Sequence, residues 1–210
     1  SETVSVSRHT VLLDEEGNAW TFGNNFRGQL GLGDQTNRDT PTKIPNLPPI
    51  KDVSAGGNHT VLLDEASNVW VFGGNEVGQL GQGNHRSAIP IQIPSLPPIK
   101  AVSAGLTYTV LLDEEGKVWV FGSNHNNQLG LGDMLGELKI RNTPAQIPNL
   151  PPIKAVSAGA QHTVLLDDKG KVWSFGNAAY GQLGRVTFKG SATPAYIPLL
   201  PPIQALSAGD

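Results

Sequence analysis

Three histidines recur at one position of a repeated stretch, His9-Thr10, His59-Thr60 and His162-Thr163, and Tyr108-Thr109 stands there in the remaining copy. Three imidazoles gathered at one point could hold a metal or relay protons. Copies of a repeat stand one structural unit apart, however, and a phenol is not a general replacement for imidazole as a ligand. A His followed by Thr at the start of a strand is better suited to hydrogen-bonding nearby backbone. The acidic stretches Asp14-Glu15-Glu16 and Asp113-Glu114-Glu115 offer paired carboxylates, but they lack the ligand spacing of a calcium loop and fall in turns, where charge is expected. Gly31-Leu32-Gly33 and its relatives are not set between a strand and a helix, and no Gly-Lys-Ser/Thr follows, so no phosphate cradle is indicated. The chain has no cysteine, which excludes disulfides, thiolate catalysis and cysteine-held zinc. The sequence therefore reads as a non-enzyme, with no catalytic residue, metal ligand or cofactor motif.

The elements that carry these residues repeat. The only tryptophans are Trp20, Trp70, Trp119 and Trp173, spaced by 50, 49 and 54 residues. A fixed period near 50 marks a repeat architecture. One copy runs His59-Thr60-Val61-Leu62-Leu63-Asp64, Val69-Trp70-Val71-Phe72-Gly73, Gly78-Gln79-Leu80-Gly81, and Leu96-Pro97-Pro98-Ile99. Copies lie near 1–52, 53–101, 102–155 and 156–210. Residues shared by every copy are expected to be structural, the four Trp included as blade-core residues. Function is to be sought where the copies differ.

Each copy opens with a strand, a short polar turn ending in Gly (Gly17, Gly116, Gly170), and a second strand: a hairpin signature. Ser67 replaces that Gly in the second copy, which predicts a slightly strained turn. Prolines crowd the later third of each copy. They cannot sit within a central ladder, so these pieces are expected at sheet edges or at crossings between units. Four short strands per ~50 residues read as propeller blades rather than helical repeats.

The pattern Ala55-Gly56, His59-Thr60, Trp70-Val71-Phe72-Gly73, Asn75, Gly78-Gln79-Leu80-Gly81 resembles the regulator of chromosome condensation repeat. The resemblance covers essentially the whole chain and implies all-β propeller blades. Complete propellers of that family have seven blades, and this chain holds about four. Thr3-Val4-Ser5-Val6 and Leu206-Ser207-Ala208-Gly209 both fill the repeat position preceding His-Thr, so in a closed ring the two ends would compete for one place. The expectation is an open arc or partial propeller, completed by missing blades or a second chain. A closed four-bladed ring with one tail displaced is the alternative.

The copies disagree in two places. One is the pair before Gly-Gln-Leu-Gly: Phe26-Arg27, Glu76-Val77, His125-Asn126 and Ala179-Tyr180. The other is the following loop, longest in the third copy with Met134, Leu135, Leu138 and Ile140, and carrying Phe188 in the fourth. Loops on a rigid scaffold are where binding resides, and aromatic and Arg side chains are common interface anchors. Phe26, Arg27, Met134, Leu135, Leu138, Tyr180 and Phe188 are the candidate partner-binding residues. The net charge of -3 and the lack of a basic block disfavour nucleic acid, and no run approaches a membrane span. The resemblance implies a protein-interaction scaffold. It also implies an alternative, an exchange factor or binder for a Ran- or Rab-like small GTPase. The near-identity of the copies suits bacterial members of the family, some of which are secreted effectors acting in a host cytosol. The expected location is correspondingly the cytoplasm or a host cytosol.

Overall fold

The computed structural model describes residues 8–132, 139–187 and 190–209. They form fifteen strands in four antiparallel sheets. The first sheet holds β1 (His9–Leu13), β2 (Ala19–Gly23) and β3 (Arg38–Lys43). The second holds β4 (Ile50–Ala55), β5 (His59–Asp64), β6 (Val69–Gly73) and β7 (Ser87–Gln92). The third runs β8 (Ile99–Ala104), β9 (Tyr108–Asp113), β10 (Val118–Ser123) and β11 (Ile140–Gln146). The fourth runs β12 (Ile153–Ala158), β13 (His162–Asp167), β14 (Val172–Gly176) and β15 (Ser191–Tyr196). Strands neighbour one another in chain order, so each sheet is a meander. The expected blades are present.

Pro41, Pro90, Pro144 and Pro194 all lie in the last strand of their sheet. That is the edge, where a missing N–H breaks no ladder. Leu-Pro-Pro-Ile then carries the chain back across to begin the next sheet. The strand next to that edge strand bulges toward its end, at Gly23, Gly73, Gly122 and Gly176. Gly73 has φ 112°, and a Cβ there would lie 2.4 Å from the Asn58 carbonyl oxygen. No side chain fits. Ser67 adopts φ 67°, the left-handed conformation that Gly17, Gly116 and Gly170 take in the other copies.

One carboxylate organises each hairpin. Asp64 Oδ1 accepts from the backbone N–H groups of Ala66 and Asn68 at 2.9 and 2.8 Å, and Oδ2 accepts from Trp70 Nε1 at 3.0 Å. Asp14, Asp113 and Asp167 repeat this on Trp20, Trp119 and Trp173. The tryptophans are thus half-buried hairpin clamps rather than blade-core residues. The deep aromatic is the Phe two positions on: Phe72, Phe121 and Phe175 are fully buried. Burial pushes the Asp64 carboxyl upward, but the bonds from Trp70 and Asn68 outweigh it and hold it below the ordinary value.

Successive blades pack face to face. β1 lies against β4, β5 against β8, and β9 against β12. Leu62 and Phe72 of blade two reach back into Val11, Leu13, Ala19 and Ile44 of blade one. Leu111 and Phe121 do the same to blade two, and Leu165 and Phe175 to blade three. Each such side chain contributes about 1.5–3 kcal/mol by leaving water. The arc is open. Residues 203–209 do not return to blade one but lie along blade four, where Ile203 N–H donates to Gly170 O at 2.9 Å and Ala208 N–H to Ser157 Oγ at 2.8 Å. Asp64→Ala is expected to destabilise the domain by about 2–3 kcal/mol, because it strands several hairpin donors at once. Urea unfolding followed by tryptophan fluorescence checks this.

Candidate interaction surface

The repeated histidines stitch blades together. Thr60 Oγ1 donates its one proton to the Gln29 carbonyl at 2.7 Å, so His9 Nε2, 2.8 Å away, must donate to Thr60. His59, Thr109 and Gln79 repeat this between blades two and three, at 2.9 Å for both contacts. At the third junction Tyr108 takes the histidine's place. Its hydroxyl donates to the His162 carbonyl at 2.5 Å and meets Thr163 Oγ1 at 2.9 Å. These residues are held apart in separate seams, as the sequence suggested, but they bond the next blade rather than local backbone alone. Gly56 precedes His59 for a steric reason: a Cβ there would come within 2.3 Å of the imidazole.

Burial lowers His9 to a pKa of about 4 and His59 to about 3. Both imidazoles are neutral at pH 7, as a single-proton donor role requires. Among the described residues no three His, Asp or Glu side chains are grouped as a metal would need, and no helix is long and apolar enough to cross a membrane.

A second set of side chains builds the tips. Between the last two strands of each blade, the Gln of Gly-Gln-Leu-Gly folds back on its own turn. Gln29 Oε1 accepts from Arg27 N–H at 2.8 Å, Gln79 from Val77, Gln128 from Asn126, and Gln182 from Tyr180. The Asn before the variable pair closes the turn from the other side. Leu30 N–H donates to Asn25 Oδ1 at 3.0 Å, Leu80 to Asn75, and Leu129 to Asn124. Asn and Gln are buried, and the pair between them is thrust outward. Blade four departs from this. Ala178 replaces the Asn, and Arg185 instead donates to the Ser174 carbonyl at 2.9 Å. Asn127 stands for a Gly at φ 62°, a conformation Asn tolerates.

Of the sequence-derived candidates, Phe26 is 65 % exposed and Tyr180 93 % exposed, both on these tips. Arg27 lies beside Phe26 and pairs with Glu76 of the next tip at 2.9 Å. The structure therefore joins the tips of blades one and two, whereas Tyr180 projects from blade four. Met134, Leu135, Leu138 and Phe188 lie outside the described residues. Ile140, flanking that loop, is 40 % exposed. A groove of about 340 Å³ opens between blades two and three, walled by Ile93, Leu96, Trp119 and Pro144 with no titratable side chain. Sequence reasoning did not find it, because its walls come from residues shared by the copies.

The profile of the RCC1-like domain matches residues 3–210. The chain belongs to the RCC1-like domain family. It is 31 % identical to human protein RCC2 over 183 residues, covering 86 % of this chain but 25 % of that protein. It is 43 % identical over 51 residues to the regulator of chromosome condensation of Xenopus laevis, covering 24 % of this chain and 12 % of that one. The chain thus spans a quarter or less of the length of these relatives. Among solved structures, human WBSCR16 superposes with a TM-score of 0.86 at 21 % identity, over 96 % of this chain and 54 % of that one. Prp20p of Saccharomyces cerevisiae, described for its binding to Gsp1p and histones, gives 0.80 at 24 %, over 91 % and 49 %. At these identities the structural likeness speaks to fold.

Two outcomes are expected of the seams. Thr109→Val removes the His59 contact and leaves the buried Gln79 carbonyl unpaired, which costs about 1–3 kcal/mol in chemical denaturation. Acid also acts through the imidazoles. The unfolded chain binds their protons near pH 6.5, whereas folded His59 resists until about 3. The unfolded state therefore holds more protons in between, and stability, full above pH 6.5, falls as pH drops through that window. Each histidine adds up to about 1.4 kcal/mol per pH unit. Denaturation midpoints at pH 7 and pH 5 should differ, and His59→Gln should reduce the difference.

Proposed function

We propose that this chain is a non-catalytic protein-interaction scaffold whose blade arc holds a row of variable tips toward a protein partner. The observation that carries the reading is the frame around the pairs, Asn and Gln in the first three blades and Gln182 in the fourth. It fixes the backbone of the tip and leaves the two side chains free to differ from blade to blade. Ordering a loop before binding removes much of the entropy that association otherwise costs. A rigid tip bearing an exposed Phe26 or Tyr180 is the form an interface anchor takes. Met134, Leu135, Leu138 and Phe188 extend the proposed surface into the longer loops.

A second reading is favoured by the company the chain keeps. Its relatives include a regulator of chromosome condensation, and Prp20p, similar in fold, is described for binding Gsp1p and histones. In this reading the chain binds a small GTPase and opens its nucleotide site by wedging. Such an exchange factor needs no nucleophile, and the loop after the third tip would be the wedge. A secreted effector acting on a host GTPase is the form this takes in bacterial members.

Nucleotide release from a panel of small GTPases separates the two. Acceleration that is lost when residues 135–138 are removed supports exchange. No acceleration, with a protein partner still captured, supports the scaffold. Phe26→Ala together with Tyr180→Ala should weaken that partner at least about tenfold, the effect expected for loss of anchor side chains. Unchanged affinity in titration calorimetry would place the surface elsewhere.

A further inference from the structure

The two ends of the arc present faces that fit each other. At every internal seam the later blade inserts a Thr, a Leu and a Phe into the earlier one. Leu62, Leu111 and Leu165 are fully buried there, as are Thr60, Thr109 and Thr163. Their counterparts on blade one are Thr10, which is exposed, Leu12, 44 % exposed, and Phe22, half-buried. Blade one thus carries a complete inserting face with nothing in front of it among the described residues.

Blade four carries the receiving face. Ile44, Ile93 and Ile147 are buried by the blade that follows each, but Ile197 is half-buried. Gly31, Gly81 and Gly130 lie against the rings of Phe72, Phe121 and Phe175, whereas exposed Gly184 is met only by Ile197. Ile203 N–H bonds Gly170 O just as Ile50 bonds Gly17, Ile99 bonds Ser67 and Ile153 bonds Gly116. Ala208 N–H bonds Ser157 Oγ as Ala104 bonds Ser54 and Ala158 bonds Ser103. Residues 203–209 therefore lie where the first strand of a further blade belongs, with no strand along their outer edge among the described residues.

We propose that a second copy of this chain fills that place head to tail, its β1 pairing with residues 203–209 and its Leu12 and Phe22 seating on Ile197 and Gly184. The in-chain register Val53↔Leu62, Ser54↔Val61 and Ala55↔Thr60 carries over to Leu206 opposite Leu12, Ser207 opposite Val11 and Ala208 opposite Thr10. His162 of one copy then donates to Thr10 of the other, which in turn donates to the Gln182 carbonyl. One residue of the sequence favours this exchange. Val6 stands where other copies have Gly56, Gly105 and Gly159. A Cβ at those glycines comes within 2.2–2.6 Å of the following His or Tyr ring. Gly209 supplies the glycine that β1's own leading segment lacks. The contact is heterologous, so it closes into a ring or extends as a filament. It is independent of the partner proposed above.

Sedimentation velocity across the micromolar range tests it with the whole chain. The wild type should shift from monomer to dimer or larger with concentration. Leu12→Glu places a charge on an already exposed position and should weaken association at least about tenfold. Leu206→Pro, which cannot pair in a ladder, should do the same. Ile89→Glu, a matched change on the edge strand of blade two, should not. An equimolar mixture of the Leu12→Glu and Leu206→Pro variants keeps one good face of each kind and should form a heterodimer. A wild type that stays monomeric, a Leu12→Glu variant that still associates, or a mixture that does not pair would each overturn the proposal.

Discussion

A single hydroxyl decides how the blades meet. At the first two seams the Thr that opens the later blade's second strand, Thr60 or Thr109, has one proton and two lone pairs, and it spends both roles on its predecessor: it donates to the Gln carbonyl and accepts from the imidazole. Because the proton is committed, the histidine must be the Nε2–H tautomer and must stay neutral. Because the contact is buried, a lost partner is not replaced by water. The Leu and Phe that pack behind it, the Gly that clears the ring, and the inner-strand Ser that takes the next blade's N–H all follow from holding two sheets in that one relation. Tyr108 shows the constraint is geometric. A phenol serves in place of an imidazole because its hydroxyl reaches the carbonyl of His162 and the hydroxyl of Thr163, the positions that His59 and Thr60 occupy beside His9.

The frame was largely legible in the sequence. The period of the four tryptophans gave the blades, and proline density correctly placed β3, β7, β11 and β15 at sheet edges. Ser67 and Asn127 were visible as departures from Gly, and both take the left-handed conformation that the departure implied. What pattern alone did not assign was which conserved-looking side chain does which task within the repeat. Trp70 and Phe72 are two residues apart and equally apolar on paper. Only the Asp64 carboxylate beneath the hairpin separates a clamp at the surface from a plug in the seam. The histidines were read as structural, but their partner lies about fifty residues away, a distance no local pattern reports.

The candidate surface was legible in part. Comparing copies located the variable pairs, and Phe26 and Tyr180 do project from the tips. The comparison did not show that Arg27 ties its tip to Glu76, nor that a groove opens beside Trp119. Both arise between blades, from residues that look unremarkable within one copy. The frame around the tips also explains an apparent paradox of Gly-Gln-Leu-Gly. It is among the most constant parts of the repeat, yet its constancy serves the two residues beside it that change most.

Because each seam joins only nearest neighbours, the fold has no residue that must know how many blades there are. A unit of about fifty residues can be copied or lost as a block, since the new junction is made of the same Thr, Leu and Phe meeting the same Gln, Ile and Gly. The evolutionary history open to such a chain is therefore one of changing count as readily as changing residue. Among the copies within this chain, the residues already differ where the frame leaves them free, at the tips.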